Sequence, residues 1–242
     1  MENNQTQNLI IYGKNAVLEA IKSAKAINAV YIQKQAKGLG EHISLAKKAG
    51  VIVKEVAVEK LDSLSDNNRH GGIAAALAAV EYCSVEEIVN ASETPFVLIL
   101  DGIEDPHNLG ALIRTAEAAG VDGVIIPKRR GAPVTGAVYA ASAGAAAHMR
   151  IARVTNLVDT IKSLKTHNIW VYGAESDGVP YTGVDFKGGG VALVIGSEGG
   201  GLGRLVRESC DVVVSVPMYG EINSLNASVC GGILMFAVRG GG

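Results

Sequence analysis

The sequence is poor in aromatic residues, in cysteine and in long apolar runs. Its 242 residues include one Trp, three Phe and seven Tyr, so aliphatic side chains must fill its cores. The three cysteines, Cys83, Cys210 and Cys230, are odd in number and far apart. That spacing fits reduced, buried thiols better than a disulfide frame or a zinc site. The longest apolar stretches, 96–100 and 231–238, fall far below the ~18 residues of a membrane span, so no membrane association is expected. The five histidines are scattered and are read as non-ligands, with no metal expected. No basic-then-apolar pattern opens the chain, so no secretory signal is visible and a cytoplasmic protein is expected. A strong excess of one charge is also missing. A net charge of −2 and a pI near 6.2 argue against binding nucleic acid by bulk electrostatics and leave only local patches.

Glycine and small aliphatic residues are abundant. Thirty glycines without a three-residue period indicate close backbone approach, not a collagen-like or disordered chain. The best basic patch is Lys128-Arg129-Arg130, with Arg150 and Arg153 further on. A solvated loop of like charges explains it equally well on composition alone. Apolar periodicity predicts strands at 9–12, 29–32 and 51–56, helices at 14–23 and 41–49, and a closing small-residue segment at 72–79. Residues 1–80 thus form a small α/β domain, and the polar stretch 81–94, ending at Pro95, reads as a linker. Residues 95–242 then alternate strand and helix, which predicts a parallel sheet with crossover helices. Its strands are expected at 96–100, 123–126, 148–154, 169–173, 191–195 and 212–216. Its clearest helices are expected at 108–119, 156–166 and 224–238.

Three loops at the carboxyl ends of predicted strands carry the chemistry, where open α/β sheets place their ligands. The first runs from Asp101 into a helix started by Asp105 and Pro106. Arg114 there projects about 100° from the buried Ile113, free to meet a ligand or to pair with Glu117. The second, 191–203, sets Glu198 among glycines directly after a buried strand, so a ligand can approach the backbone. It is neither a Rossmann fingerprint nor a Walker A loop. In the third, 214–228, Ser224 and Asn226 are both good helix N-caps. One suffices as a cap, which leaves polar groups for a substrate.

In order, the segments DPHNLGALIRTAEAAG (105–120), ALVIGSEGGGLGRLV (192–206) and VPMYGEINSLNASVCGGIL (216–234) resemble the three motifs of SpoU/TrmH-type RNA 2′-O-ribose methyltransferases, of the SPOUT superfamily. Residues 8–80, with NNRHGGIAA near their end, resemble the ribosomal-protein-like substrate-binding domain that many members carry. The two-domain form is most similar to the branch that methylates a guanosine in large-subunit ribosomal RNA. The resemblance implies a deep trefoil knot over 191–238, a homodimer, an RNA partner and S-adenosylmethionine as cofactor. It implies that Gly196, Val216 and Leu225, with Ile195, Pro217, Met218 and Gly220, hold the cofactor. It places Asn108, Arg114, Glu198, Ser224 and Asn226 in the catalytic site. The family assigns Arg114 a part in removing the hydroxyl proton. A guanidinium rarely gives up its own proton, so stabilising the developing alkoxide or clamping a phosphate serves equally well.

The chain departs from the family pattern at Gly71, Gly131, Gly136, Gly200 and Gly203, which bears on the RNA target and not on the reaction. A transfer-RNA substrate is an alternative. So is a catalytically inactive RNA-binding protein of the same fold, which should have lost Arg114, Glu198 or Asn226. A nicotinamide oxidoreductase would need glycines after the first strand of the sheet, and the loop after Leu100 lacks them.

Overall fold

The computed structural model describes residues 9–23, 27–77, 81–186, 188–222 and 224–240. They form two compact units, Met1–Glu81 with Val134–His148, and Tyr82–Pro133 with Met149–Gly242.

In the first unit, the chain runs through β1 (Leu9–Tyr12), α1 (Lys14–Lys22), β2 (Ile27–Gln33), α2 (Gly40–Lys48), β3 (Ile52–Val56), α3 (Val58–Leu64) and β4 (Ile73–Leu77). The sheet order is β1-β4-β2-β3, with β4 antiparallel to both neighbours and β2 parallel to β3. The inner strand β4 is buried along its whole length, while the edge strand β3 is largely exposed. On α1, Ala16, Val17, Ala20 and Ile21 are buried, one face of a 3.6-residue period. Residues 78–80, part of the closing segment read at 72–79, lie outside the described residues.

In the second unit and the segment it encloses, the elements are α4 (Val85–Val89), β5 (Phe96–Asp101), α5 (Pro106–Ala118), β6 (Gly123–Pro127), α6 (Gly136–Ala141), β7 (Ile151–Val154), α7 (Leu157–Thr166), β8 (Ile169–Pro180), β9 (Gly190–Gly196), α8 (Arg204–Ser209), β10 (Val212–Ser215) and α9 (Ala227–Gly240). The strand order is β10-β8-β9-β5-β6-β7 and every neighbouring pair is parallel. The central strands β5 and β9 are near-continuous aliphatic runs, as a sheet covered on both faces requires. Val97, Ile99, Ala192 and Val194 join Ile88, Leu157, Ile161, Leu164 and Val206 in one core. Each large aliphatic side chain so buried contributes about 1.5–3 kcal/mol. Alternate strand residues point the other way, where Ile195 meets the α9 backbone at Gly231 and α9 packs on Leu112 of α5.

Two boundaries differ from the sequence reading. Within the expected linker 81–94, Ser84 and Glu87 form a capping box that starts α4, and Ile88 is completely buried. Residues 134–148, expected in the second domain, cluster with the first unit. There α6 packs on β1, and a Cβ at Gly136 would stand 1.8 Å from the Ile10 carbonyl oxygen. That close backbone approach requires glycine and leaves no periodic signal in the sequence.

Candidate active site

Because the strands of the second unit run parallel, the loops after β5, β9 and β10 leave the same edge of the sheet. Each loop is fixed locally. Asp105 caps α5, its two carboxylate oxygens accepting from the amides of His107 and Asn108 at 3.2 and 3.1 Å, with Pro106 at the first helical position. The loop after β9 is held by Ser197 and Gly201, which exchange backbone hydrogen bonds of 3.0 and 3.1 Å. Glu175 accepts from the Leu202 amide at 2.6 Å, and Asp101 from the Gly203 amide at 2.8 Å. A Cβ at Gly196 would lie 2.3 Å from the Gly201 carbonyl carbon. The chain can fold back on β9 only with glycine at that position.

Asn226 joins these loops. Its side-chain oxygen accepts from the amides of Ser228 and Val229 at 2.9 and 3.3 Å, which caps α9. Its side-chain nitrogen donates to Asn108 Oδ1 at 3.0 Å and to the Glu198 carboxylate. Glu198 also accepts from the Ala227 amide at 3.4 Å. The oxygen's capping role fixes the orientation of the amide, so it presents two donors to Asn108 and Glu198.

Two cavities flank this group. The first, about 200 Å³, is lined by Ile195, Gly196, Glu198, Val216, Met218, Ser224 and Leu225 among others. The second, about 480 Å³, is lined by residues 101–105, Asn108, Arg130 and the loop 197–203. Glu198 lies on both walls. Of the residues expected to hold a cofactor, Pro217 and Gly220 do not line the first cavity. Of those expected to be catalytic, Asn108, Glu198 and Asn226 are hydrogen-bonded together and Ser224 stands on the cavity wall. Arg114 is exposed on α5, lines neither cavity and makes no hydrogen bond or ion pair among the described residues.

The sequence reading missed Glu175, Ser197 and Cys230 on the first cavity's wall. Glu175 sits in β8, which was expected to end at Gly173 and continues to Pro180. It stands two residues past that expected end, so the rule that ligands gather at carboxyl strand ends points to it. Burial, assisted by the charge of Glu175, pushes the Cys230 thiol above its ordinary value. It therefore lines the cavity as a neutral thiol. No group of three or more His, Cys, Asp or Glu is placed to hold a metal ion among the described residues.

A profile of the SpoU rRNA Methylase family matches residues 95–236, and one for RNA 2′-O ribose methyltransferase substrate binding matches residues 10–83. A putative TrmH family tRNA/rRNA methyltransferase of Staphylococcus saprophyticus is 45% identical over 239 residues, covering 96% of this chain and 95% of that protein. The putative TrmH family tRNA/rRNA methyltransferase YacO of Bacillus subtilis is 43% identical over 238 residues, covering 94% of each. Among solved structures, the AdoMet-bound rRNA methyltransferase from Sinorhizobium meliloti superposes with a TM-score of 0.83 at 24% identity. It covers 98% of this chain and 88% of that one. The SpoU methyltransferase AviRb from Streptomyces viridochromogenes, in complex with AdoMet, gives 0.82 at 21% identity, covering 99% and 93%.

Proposed function

The chain belongs to the SpoU/TrmH family of RNA methyltransferases, and from that premise we propose that it methylates a ribose 2′-OH of RNA with S-adenosylmethionine. The substrate in this reading is a guanosine of large-subunit ribosomal RNA. The observation that carries it is the Asn108–Asn226–Glu198 group, which stands between two cavities with Glu198 on both walls. One cavity then takes the methyl donor and the other the nucleoside that receives the methyl.

The residues of the first cavity fit the donor. Ile195, Val216, Met218 and Leu225 offer apolar surface for adenine, and Gly196 lets a ligand lie against backbone. The carboxylates of Glu175 and Glu198 suit a ligand carrying positive charge. S-adenosylmethionine supplies a methyl group on a sulfonium, which a nucleophile attacks without a metal. The chain's task is to present the ribose oxygen in line and to lower the cost of its developing charge. Glu198 and Asn108, held in place by Asn226, orient the ribose, a proximity effect, and Ser224 contributes a hydroxyl on the first cavity's wall. Arg114, without a partner among the described residues, stabilises the developing alkoxide or clamps the neighbouring phosphate.

The same proposal includes a deep trefoil knot over residues 191–238 and a homodimer. Exposed Val229 and Phe236 on α9, with Tyr219 and Ile222 before it, supply apolar surface for a second copy. It includes an RNA-binding role for residues 1–80, supported by the substrate-binding profile over 10–83, and a cytoplasmic site of action. A transfer-RNA substrate is the second reading, favoured by relatives whose names carry both RNAs. The retention of Arg114, Glu198 and Asn226 weighs against an inactive RNA-binding protein.

Calorimetric titration with S-adenosylmethionine, run beside a transfer assay, separates the assigned roles. Arg114→Ala is expected to bind the donor within twofold of the unmodified chain and to lose transfer. Unchanged turnover in that variant would remove Arg114 from the mechanism.

A further inference from the structure

The charged side chains that line the second cavity divide, among the described residues, into those with partners and those without. Asp101 is occupied by the Gly203 amide, Asp105 by the amides that open α5, and Glu198 by Asn226 and Ala227. Glu104 and Arg130 line the same cavity, and neither makes a hydrogen bond or ion pair among the described residues. The loops that carry them are nonetheless anchored. Ile103 is buried beside Glu104, and its carbonyl accepts from the Ala132 amide at 2.8 Å. That bond ties the loop bearing Glu104 to the loop bearing Arg130. The flanking cap at Asp105 fixes the other side of Glu104. A pair of opposite charges presented on anchored loops, yet spent on no partner among the described residues, is arranged for a ligand.

We propose that this cavity receives the base of the target nucleoside, that Glu104 selects guanine, and that Arg130 holds an adjoining phosphate. This inference rests on the methyltransferase reading above and adds the groups that choose the nucleotide. A carboxylate accepts hydrogen bonds and does not donate them. Among the four RNA bases, guanine alone places two adjacent donors, N1–H and the 2-amino group, on its Watson–Crick edge. Adenine and cytosine set one amino group beside a ring-nitrogen acceptor, and uracil sets one N–H between two carbonyls. Two carboxylate oxygens therefore match guanine and face at least one acceptor on each of the others. Bases drawn out of a stack are read on that edge. Arg130 carries no base information, because every nucleotide brings a phosphate.

The test uses the full chain, labelled S-adenosylmethionine, and ribosomal RNA from cells lacking the enzyme, with the product digested to nucleosides. The unmodified chain is expected to yield 2′-O-methylguanosine. Glu104→Gln is expected to lower kcat/KM about 10- to 100-fold with donor affinity and melting temperature unchanged. Arg130→Ala should raise KM and leave the nucleoside product the same. On a short transcript with inosine at the mapped position, which lacks the 2-amino group, the unmodified chain should slow while Glu104→Ala treats inosine and guanosine alike. Another 2′-O-methylnucleoside as product, or Glu104 variants at full rate, would overturn the inference and leave the methyltransferase reading standing. No ribose methylation by the unmodified chain would overturn that reading and this inference with it.

Discussion

The amide of Asn226 spends its oxygen on the start of α9 and its nitrogen on Asn108 and Glu198. Asn226→Asp separates the two duties, since aspartate caps a helix as well as asparagine does but replaces two donors with an acceptor facing a carboxylate. Loss of methyl transfer and of about 1 kcal/mol of stability is expected. A denaturant melt and turnover both equal to those of the unmodified chain would contradict the shared role. Gly196→Ala is expected to cost about 1–3 kcal/mol and to weaken donor binding, because the added methyl collides with backbone at Gly201 and Leu202. Calorimetry on the folded variant checks both. Glu198 and Asn226 were legible in the sequence as polar residues in loops where a strand ends or a helix begins, and Asn108 through the family resemblance. Their mutual hydrogen bonds were not legible, since they join positions up to 118 apart.

At the scale of the element, α4 shows a signal that was present and passed over. Residues 81–94 read as a linker on their polarity, although Ser84 followed by Glu87 before Ile88 and Val89 is a capping-box pattern. Hydrogen bonds from the Ser84 backbone amide, then from its hydroxyl, hold the Glu87 carboxyl below its ordinary pKa. A depressed carboxylate contributes stability that is present above its unfolded-state pKa and lost as pH falls through the folded value. Melting curves from pH 7 down to pH 3 should therefore show a smaller acid loss for Glu87→Gln than for the unmodified chain. Equal pH slopes would show that the box contributes nothing measurable. The parallel sheet itself followed from alternating aliphatic and amphipathic segments. The far end of β8 did not, because Glu175, Ser176 and Asp177 interrupt the apolar pattern, and only Val179 and Pro180 beyond them pair with β10, across a register shift between Val213 and Val214.

For the molecule as a whole, a division between Glu81 and Tyr82 was legible where the apolar segment 72–79 gives way to the polar stretch from 81. The assignment of residues 134–148 to the first unit was not, because it depends on contacts with a strand more than 120 positions away. A net charge of −2 concentrates RNA attraction in a few cations. Replacing Lys128 and Arg129 together with alanine should weaken RNA binding on all sequences. It should also shrink the slope of log affinity against log salt by about 1.4, at ~0.7 per phosphate contact on single strands. An unchanged slope would place the RNA elsewhere.

The central claim is most directly tested by incubating the chain with labelled S-adenosylmethionine and large-subunit ribosomal RNA lacking the modification, followed by alkaline hydrolysis. Methylation of a ribose 2′-OH blocks cleavage of the adjoining phosphodiester, so the label is predicted in an alkali-resistant dinucleotide. Label released in mononucleotides, as from a methylated base, or no transfer to this RNA or to transfer RNA, would contradict the account.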